Sequence, residues 1–320
     1  MTTWTLFKPL DISSFDFLSL GDDAVADVMT SDHYRESAGR FTLDIFGDGL
    51  HYNHGELLPL GDIFGIDLFE SLDEALQIVD VVWSLLKILS YYNPLTDHWD
   101  LEGLHDYLFR EADWFDGSEG DDWFAGRGGD DVLQGGGGID VAAYSGARSD
   151  FTLSRTAEAW QLADTRGSEG TDTLAGVERL QFQDSSLALD LAGHAGTVAR
   201  LIGAVFGPQF LAHADLVGVG LALLDEGMST VQLSALATGS DLFEALAGSH
   251  SNADFVRTVY RNVTGTEADD STRDYYVALL DSGTMTQAAL AAVAAETEIN
   301  AEQIDLIGLA QTGIAFTPAD

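Results

Sequence analysis

The chain has 320 residues, of which 53 are Asp or Glu and 14 are Lys or Arg, giving a formal charge of −39. This charge argues against partners that are recognised through Lys and Arg, namely nucleic acids and anionic membrane surfaces. An apolar content of 46% is enough to bury folded cores, and the absence of cysteine excludes a disulfide scaffold. Because so many like charges repel one another in a compact state, the composition favours a protein that is stabilised by cations.

Residues 1–110 are predicted to form a β-rich domain with a long helix. Apolar and polar residues alternate over residues 41–46 and 62–69, which predicts strands. Ser71-Leu-Asp-Glu74 is a capping box, and apolar residues then recur every three or four positions as far as Leu89. These signals predict a helix that ends near Pro94, and a second short helix is expected over residues 101–110.

Residues 117–143 repeat a nine-residue pattern three times, as GSEGDDWFA, GRGGDDVLQ and GGGGIDVAA. Each copy follows G-G-x-G-x-D-x-U-x, where U is a large apolar residue, and Ser118 and Arg127 replace the second glycine. The sixth position of the three copies is Asp122, Asp131 and Asp140, and the eighth position is Phe124, Leu133 and Ala142. The glycines permit tight turns, and the eighth position is predicted to face the interior of a short strand.

This pattern gathers the oxygen ligands that Ca²⁺ prefers, since each copy brings one carboxylate and several turn carbonyl groups. Asp113 lies upstream in the same register, where residues 108–112 have no glycine. The candidate calcium ligands are Asp113, Gly117, Glu119, Asp122, Gly126, Gly128, Asp131, Gly135, Gly137 and Asp140. The alternative interpretation is a flexible linker rich in Gly and Asp, which would not place an apolar residue at every ninth position.

The three copies resemble the RTX (hemolysin-type) calcium repeats of proteins that Gram-negative bacteria export. The resemblance implies a short parallel β-roll in which two repeats make one turn. Calcium would then lie between the loops at residues 117–122 and 135–140, and a second ion between Asp113 and the loop at residues 126–131. We expect one to three ions.

Residues 143–190 are predicted to continue the β-structure. Strands are expected at residues 151–153, 160–162 and 179–183, where apolar and polar residues alternate. Residues 170–184 resemble the segment that commonly follows RTX repeats. Asp172, Glu178 and Asp184 are either additional calcium ligands or residues that cap turns.

From residue 191 the sequence becomes rich in alanine and helical in pattern. Residues 221–227 resemble residues 277–283 at an offset of 56, and residues 198–207 resemble residues 256–265 at an offset of 58. This repetition predicts a duplicated helical module. Residues 198–299 resemble the DUF4214 module that is found beside RTX repeats in secreted and surface-layer-associated bacterial proteins, a family to which no chemistry is assigned.

His51 and His54, followed by Glu56, are the candidates for a transition-metal site, and His33-Tyr34 is the candidate for a haem pocket that no other feature of the sequence supports. Residues three apart on a strand point to opposite faces, so the metal site would need a turn between His51 and His54. Solvated loop histidines are the simpler interpretation. The sequence has no G-x-S-x-G, H-E-x-x-H or P-loop motif, so it contains no recognisable signature of an enzyme.

The predicted fold is an α+β multidomain chain, divided into a β-rich domain (1–110), a calcium β-roll with the following strands (111–190) and a helical module (191–320). The start of the chain does not resemble a cleaved signal peptide, and no apolar run reaches the roughly 18 residues of a membrane span. The RTX resemblance implies export by type I secretion machinery, for which residues 304–320 are the candidate signal.

The principal hypothesis is a secreted, non-enzymatic, calcium-binding protein that acts at the cell surface or in the extracellular matrix. Its partners would be calcium and a surface polysaccharide or a surface-layer protein. One alternative is a secreted enzyme or toxin whose activity lies in residues 1–110, and another is an extracellular carrier of haem or metal.

Overall fold

The computed structural model describes residues 109–156, 159–167 and 169–319, together with the backbone of the strands within residues 2–99. The chain divides into two compact units, Met1–Gln183 and Asp184–Asp320. No helix in the described part of the chain is both long and apolar enough to cross a membrane.

The described part of the first unit consists of β-strands and a 3₁₀ turn at Arg148–Asp150. The strands are β1 (Thr2–Leu6), β2 (Val25–Met29), β3 (His33–Ala38), β4 (Phe41–Asp48), β5 (His51–Asn53), β6 (Glu56–Leu58), β7 (Asp62–Glu70), β8 (Asp73–Val79), β9 (Trp83–Ser84), β10 (Tyr92–Asn93), β11 (His98–Trp99), β12 (Asp113–Asp116), β13 (Trp123–Phe124), β14 (Val132–Gln134), β15 (Val141–Ala143), β16 (Phe151–Arg155), β17 (Trp160–Asp164), β18 (Thr171–Ala175) and β19 (Arg179–Gln181). One sheet has the order β16-β17-β18-β14-β12-β1-β8-β7-β4-β3-β2, and β9 pairs with β7.

The strands predicted at residues 41–46 and 62–69 are confirmed as β4 and β7, which pair in antiparallel fashion. The long helix predicted from Ser71-Leu-Asp-Glu74 is wrong over residues 73–79, where the chain forms β8. β8 has a partner on each side, since Ile78 pairs with Ile66 of β7 and Val79 with Thr3 of β1. Hydrogen-bond ladders on both sides of the strand outweigh a local helical preference.

The remainder of that predicted helix falls on residues 80–82 and 85–91, which lie outside the described residues, apart from strand β9 at residues 83–84. The second predicted helix, at residues 101–110, lies outside them as far as residue 108.

The strands of successive nine-residue repeats alternate between two sheets. β12, β14 and β18 pair in parallel in one sheet, and β13, β15 and β19 pair in parallel in the other. The eighth-position residues Phe124, Leu133 and Ala142 are almost completely buried. So are the residues that pair with them in the flanking strands, which are Phe115 and Leu174 beside Leu133 and Leu180 beside Ala142. The prediction that Phe124, Leu133 and Ala142 face the interior is therefore confirmed.

The two sheets share a core, because the rings of Phe115 and Phe124 meet edge to face with their centroids 6.2 Å apart. Each fully buried phenylalanine contributes about 1.5–3 kcal/mol of hydrophobic stabilisation. The strands predicted after the repeats are also confirmed, as β16, β17 and β19. β16 and β17 form an antiparallel hairpin that continues onto β18.

The second unit is helical and has a short antiparallel pair of strands, β20 (Ser186–Ala188) and β21 (Ile314–Phe316). Its helices are α1 (His194–Val205), α2 (Ala214–Asp225), α3 (Thr230–Thr238), α4 (Asp241–Ala247), α5 (Asn252–Thr264), α6 (Asp270–Asp281), α7 (Gln287–Ala295), α8 (Glu298–Gln303) and α9 (Leu306–Thr312). A 3₁₀ turn at Pro208–Ala212 joins α1 to α2. The candidate export signal at residues 304–320 contains α9 and β21.

Side-chain caps fix the starts of these helices. In α3 to α8 the side chain of the residue before the helix accepts a hydrogen bond from a backbone N–H in the first turn, and these residues are Ser229, Ser240, Ser251, Asp269, Thr286 and Thr297. Such caps are worth about 1 kcal/mol each. Gly248 and Gly265 end α4 and α5 in the left-handed conformation that favours glycine.

Asn300 is a buried polar link in the helical core. Its Nδ2 donates to the carbonyl oxygens of Arg200 and Ala295, at 2.9 and 2.8 Å. We predict that Asn300→Ala lowers the free energy of unfolding by about 1–3 kcal/mol, because two carbonyl groups lose their donor. Chemical denaturation monitored by far-ultraviolet circular dichroism checks this.

The matched control is Asn252→Ala, since the Asn252 side chain, which donates to Asp281 and accepts from Gln287, is only partly buried. We expect a loss below about 1 kcal/mol there. Equal losses in the two variants would contradict the structural role of Asn300.

Candidate metal centre

The turns between the strands stack into two columns. The first loop column consists of residues 111–113, 126–131 and 170–172. The second loop column consists of residues 117–122, 135–140 and 176–178. Backbone groups join the layers, because Gly128 N donates to Phe109 O at 2.8 Å and Gly137 N donates to Ser118 O at 3.0 Å. The turns that are two repeats apart in the sequence are therefore adjacent in space.

A ladder of carboxylates runs along each column. In the first column Asp131 Oδ1 accepts the backbone N–H of Asp113 at 2.8 Å, and Asp172 Oδ1 accepts that of Asp131 at 3.0 Å. In the second column Asp140 Oδ1 accepts the backbone N–H of Asp122 at 2.8 Å, and Glu178 Oε2 accepts that of Asp140 at 3.0 Å. One oxygen of each carboxylate thus holds the preceding layer in place.

The second oxygens of Asp131 and Asp140 are in a different situation. Both Oδ2 atoms are buried, and neither has a hydrogen-bond donor among the described residues. Each one lies beside the first glycine of its own repeat, where a Cβ atom on Gly126 or Gly135 would come within 2.3 Å of it. A buried carboxylate oxygen without a donor is costly unless a cation compensates for it. These two atoms fit the requirements of a metal ligand.

The ion-free protein resists ionisation of these groups. Burial raises the pKa of Asp131 from 3.8 to about 9, and the charge of Asp172 acts in the same direction. Burial also raises the pKa of Asp140 and of Asp172 to about 7. The backbone hydrogen bond that each carboxyl group accepts lowers its pKa, but by less than burial raises it. Desolvation in the folded, ion-free columns therefore favours the neutral, protonated form of these carboxyl groups.

Asp122 differs from the other two sixth-position aspartates. Its Oδ2 accepts hydrogen bonds from the backbone N–H and the hydroxyl group of Ser118, at 2.6 and 2.9 Å. Ser118 is the residue that replaces the second glycine of the first repeat. Asp122 is buried but satisfies one oxygen within its own loop.

The candidate glycines hold the layers close together. Gly117 N donates to Gln134 O at 2.7 Å, and Gly135 N donates to Ala175 O at 2.9 Å. A Cβ on Gly117 would lie 2.0 Å from Gly135 O. Glu119 lies in the second loop column, where its Oε2 would be 3.1 Å from a Cβ on Gly137.

Asp172 and Glu178 extend the two ladders beyond the nine-residue repeats. The sequence predicts that both are either additional calcium ligands or residues that cap turns. The structure places them one layer beyond Asp131 and Asp140. The signal that identifies them is the spacing Asp172-x-Leu174 and Glu178-x-Leu180, which matches Asp131-x-Leu133. Asp184, by contrast, is exposed and accepts a hydrogen bond from Ser185.

The carboxylates do not form a metal cluster by themselves. In the part of the chain that the structure describes, no three His, Asp or Glu side chains come together as a metal site. A cation in the loop columns would therefore need backbone carbonyl oxygens as well, as the candidate glycine positions imply.

The histidine site considered in the sequence stays a prediction. His51 and Glu56 lie on the paired strands β5 and β6, in which His51 pairs with Leu58 and Asn53 with Glu56. Their side chains, and His54 altogether, lie outside the described residues.

Comparison with known proteins assigns two segments. Residues 110–142 match the RTX calcium-binding nonapeptide repeat, and residues 235–303 match the domain of unknown function DUF4214. The chain therefore carries an RTX calcium-binding repeat segment and a DUF4214 module. No curated protein matches the chain.

Among solved structures, the extracellular lipase LipA from Serratia marcescens matches with 20% sequence identity and a TM-score of 0.17. The match covers 26% of this chain and 16% of the lipase chain. The chain thus spans a small part of that protein's length.

We predict that the calcium-free protein loses stability as the pH rises from about 4 to about 9. From about pH 4 to about pH 7 the folded state holds protons on Asp131, Asp140 and Asp172 that the unfolded state has already released, and from about pH 7 to about pH 9 it holds one on Asp131 alone. The free energy of unfolding then falls by up to about 1.4 kcal/mol per pH unit for each such group. Melting temperatures of chelator-treated protein at pH 5 and pH 8 check this.

The control is the double variant Asp131→Asn/Asp140→Asn, in which the fall between pH 5 and pH 8 should be smaller. General repulsion among the surface carboxylates remains in that variant, so the difference between the two proteins isolates the buried groups. Identical pH profiles would contradict the assignment.

Proposed function

We propose that this chain is a secreted calcium-binding RTX protein that completes its folding when calcium binds outside the cell. The observation that carries the proposal is the pair of buried carboxylate oxygens, Asp131 Oδ2 and Asp140 Oδ2, at equivalent places in the two loop columns. The match of residues 110–142 to RTX calcium-binding repeats supports calcium as the cation.

The ligand set that we propose combines carboxylates and loop oxygens. Asp131 would act with the loop at Gly126 and Gly128 and with Asp113, and Asp140 with the loops at Gly135, Gly137, Gly117 and Glu119. Asp122 completes the set through the oxygen that does not bind Ser118. Calcium, when bound, supplies the positive charge that makes ionisation of the buried aspartates favourable. The parallel strands and stacked loops support interpretation of residues 111–190 as a β-roll.

Calcium dependence follows from the energetics of the ion-free columns. Desolvated carboxylates oppose closure of the loops at neutral pH, so the calcium-free chain is expected to be loosely folded in this segment. Extracellular calcium modules bind with dissociation constants of about 10⁻⁴–10⁻³ M. At one to ten times the dissociation constant, each site adds about 0.4–1.4 kcal/mol of stability.

This dependence suits passage through an exporter that accepts unfolded chains. Cytosolic calcium would leave the roll open, and extracellular calcium would close it. We place the export signal for the type I machinery in residues 304–320, and the site of action at the cell surface or in the extracellular matrix. The charge of −39 supports a setting in which divalent cations screen the surface.

We further propose that the helical unit is a duplicated module. The starts of α1 to α4 and of α5 to α8 differ by 56–58 residues. Two apolar grooves, of about 260 and 250 Å³, occupy corresponding places. Val256, Leu290 and Val293 line one groove, and Val198, Leu233 and Leu236 line the other. This equivalence supports an origin by internal repetition, of which the DUF4214 match at 235–303 covers chiefly the second copy.

Asp131→Asn tests the calcium proposal, because the amide keeps the Oδ1 acceptor for Asp113 N–H and removes the charge. We predict that the variant is at least as stable as the original protein without calcium. With about 5–10 mM calcium, a concentration above the dissociation constants of extracellular modules, its rise in melting temperature should be at most half that of the original protein. Thermal melts of chelator-treated protein measure both effects, with magnesium as the ion control.

The matched control variant is Asp116→Asn, which changes an exposed aspartate of the same unit. It should respond to calcium as the original protein does. A calcium-induced shift that is unaffected by Asp131→Asn, or that magnesium reproduces in full, would refute the proposed site.

A further inference from the structure

A cleft of about 350 Å³ lies on the outer side of the sheet formed by β13, β15 and β19. Trp123 contributes from β13, Ala143 from β15 and Gln181 from β19. Because Ala143 is small, it leaves space between the larger side chains on the neighbouring strands. The cleft volume falls in the range of about 300–1,000 Å³ that is typical of small-molecule sites.

The polar groups of the cleft are of mixed character. Arg127, Ser145, Glu169 and Gln183 also line it. Glu169 is 8% exposed and is held in position by hydrogen bonds from the hydroxyl group and the backbone N–H of Ser145. The indole Nε1 of Trp123 is buried and has no acceptor among the described residues. An indole N–H that is buried in this way normally has a partner.

Arg127 adds an independent observation. Its backbone has a φ of 66°, in the left-handed region that favours glycine, and Gly136 occupies the equivalent position of the next repeat with a φ of 95°. A bulky side chain in this conformation costs free energy that glycine would not. Strain of this kind is concentrated at functional sites, where a side chain is kept in spite of its effect on stability.

We propose that this cleft binds a neutral, hydroxyl-rich ligand, such as a sugar unit of a surface polysaccharide. Trp123 offers a flat apolar ring, and the amide groups of Gln181 and Gln183 each offer a donor and an acceptor, as hydroxyl groups require. The protein's charge of −39 disfavours an anionic ligand. The positive charge of Arg127 already acts on the carboxyl group of Glu169, so the cleft does not need a cationic ligand to offset that group.

This inference names a partner for the proposed surface role, and it requires only that the roll be folded. The test uses the full-length, calcium-loaded protein and a panel of methyl glycosides of glucose, galactose, mannose and N-acetylglucosamine, with methyl glucuronide as the anionic member. Saturation-transfer NMR and calorimetry measure binding. We expect saturable binding of at least one neutral glycoside and weaker binding of the glucuronide.

Two variants locate the binding site. Arg127→Gly removes the guanidinium group and relieves the backbone strain, so it should melt no lower than the original protein while binding the glycoside at least tenfold more weakly. Gln181→Ala should also weaken binding at least tenfold. Gln161→Ala is the control, because Gln161 is an exposed glutamine on β17 outside the cleft.

The proposal is overturned if no neutral glycoside binds, if the glucuronide binds more tightly, or if Arg127→Gly and Gln181→Ala bind as the original protein does. A calcium melt of the same samples separates the two proposals. Stabilisation by calcium without glycoside binding rejects the sugar site alone, whereas a missing calcium response rejects the proposed calcium-dependent folding.

Discussion

The central constraint of the first unit is that the two carboxylate oxygens of Asp131, and likewise those of Asp140, have different surroundings. One oxygen of Asp131 and one of Asp140 accept backbone N–H groups and so align successive layers of the loop columns. The other oxygen of each is buried without a donor in the described structure. The same side chains therefore position successive layers and carry the oxygens that we propose as cation ligands.

Hydrophobic packing and electrostatics oppose one another in this segment. Phe115, Phe124 and Leu133 are almost fully buried and favour closure of the two sheets. The stacked carboxylates disfavour it, because burial and mutual repulsion raise their pKa values. A balance of this kind can be shifted by a weakly bound ion, which is what a folding step controlled by extracellular calcium requires.

Much of this arrangement could be predicted from the sequence, because nine-residue periodicity fixes which residues share a face. The interior positions of the repeats were predicted correctly for that reason. Asp172 and Glu178 were harder to place, since the β16–β17 hairpin separates Asp172 from Asp131 by 41 residues instead of the 18 between Asp113 and Asp131. Only the short Asp-x-Leu or Glu-x-Leu spacing remains as a signal after such an insertion.

Two further features depend on tertiary structure that local patterns do not encode. Residues 73–79 have a helical capping signal, yet they pair with β1 and β7, and strand partners that are distant in sequence decide the outcome. The cleft beside Trp123 brings together residues from 123 to 183, so no single motif could indicate it. Arg127 was visible in the sequence as a departure from glycine, but its strain appears only in the backbone geometry.

The most direct test of this account is a crystal structure of the calcium-loaded protein with anomalous difference maps. We predict calcium peaks within about 2.3–2.6 Å of Asp131 Oδ2 and Asp140 Oδ2, with loop carbonyl oxygens completing the coordination. Both carboxylates left without a metal in a calcium-saturated crystal, or calcium bound only elsewhere on the acidic surface, would contradict it.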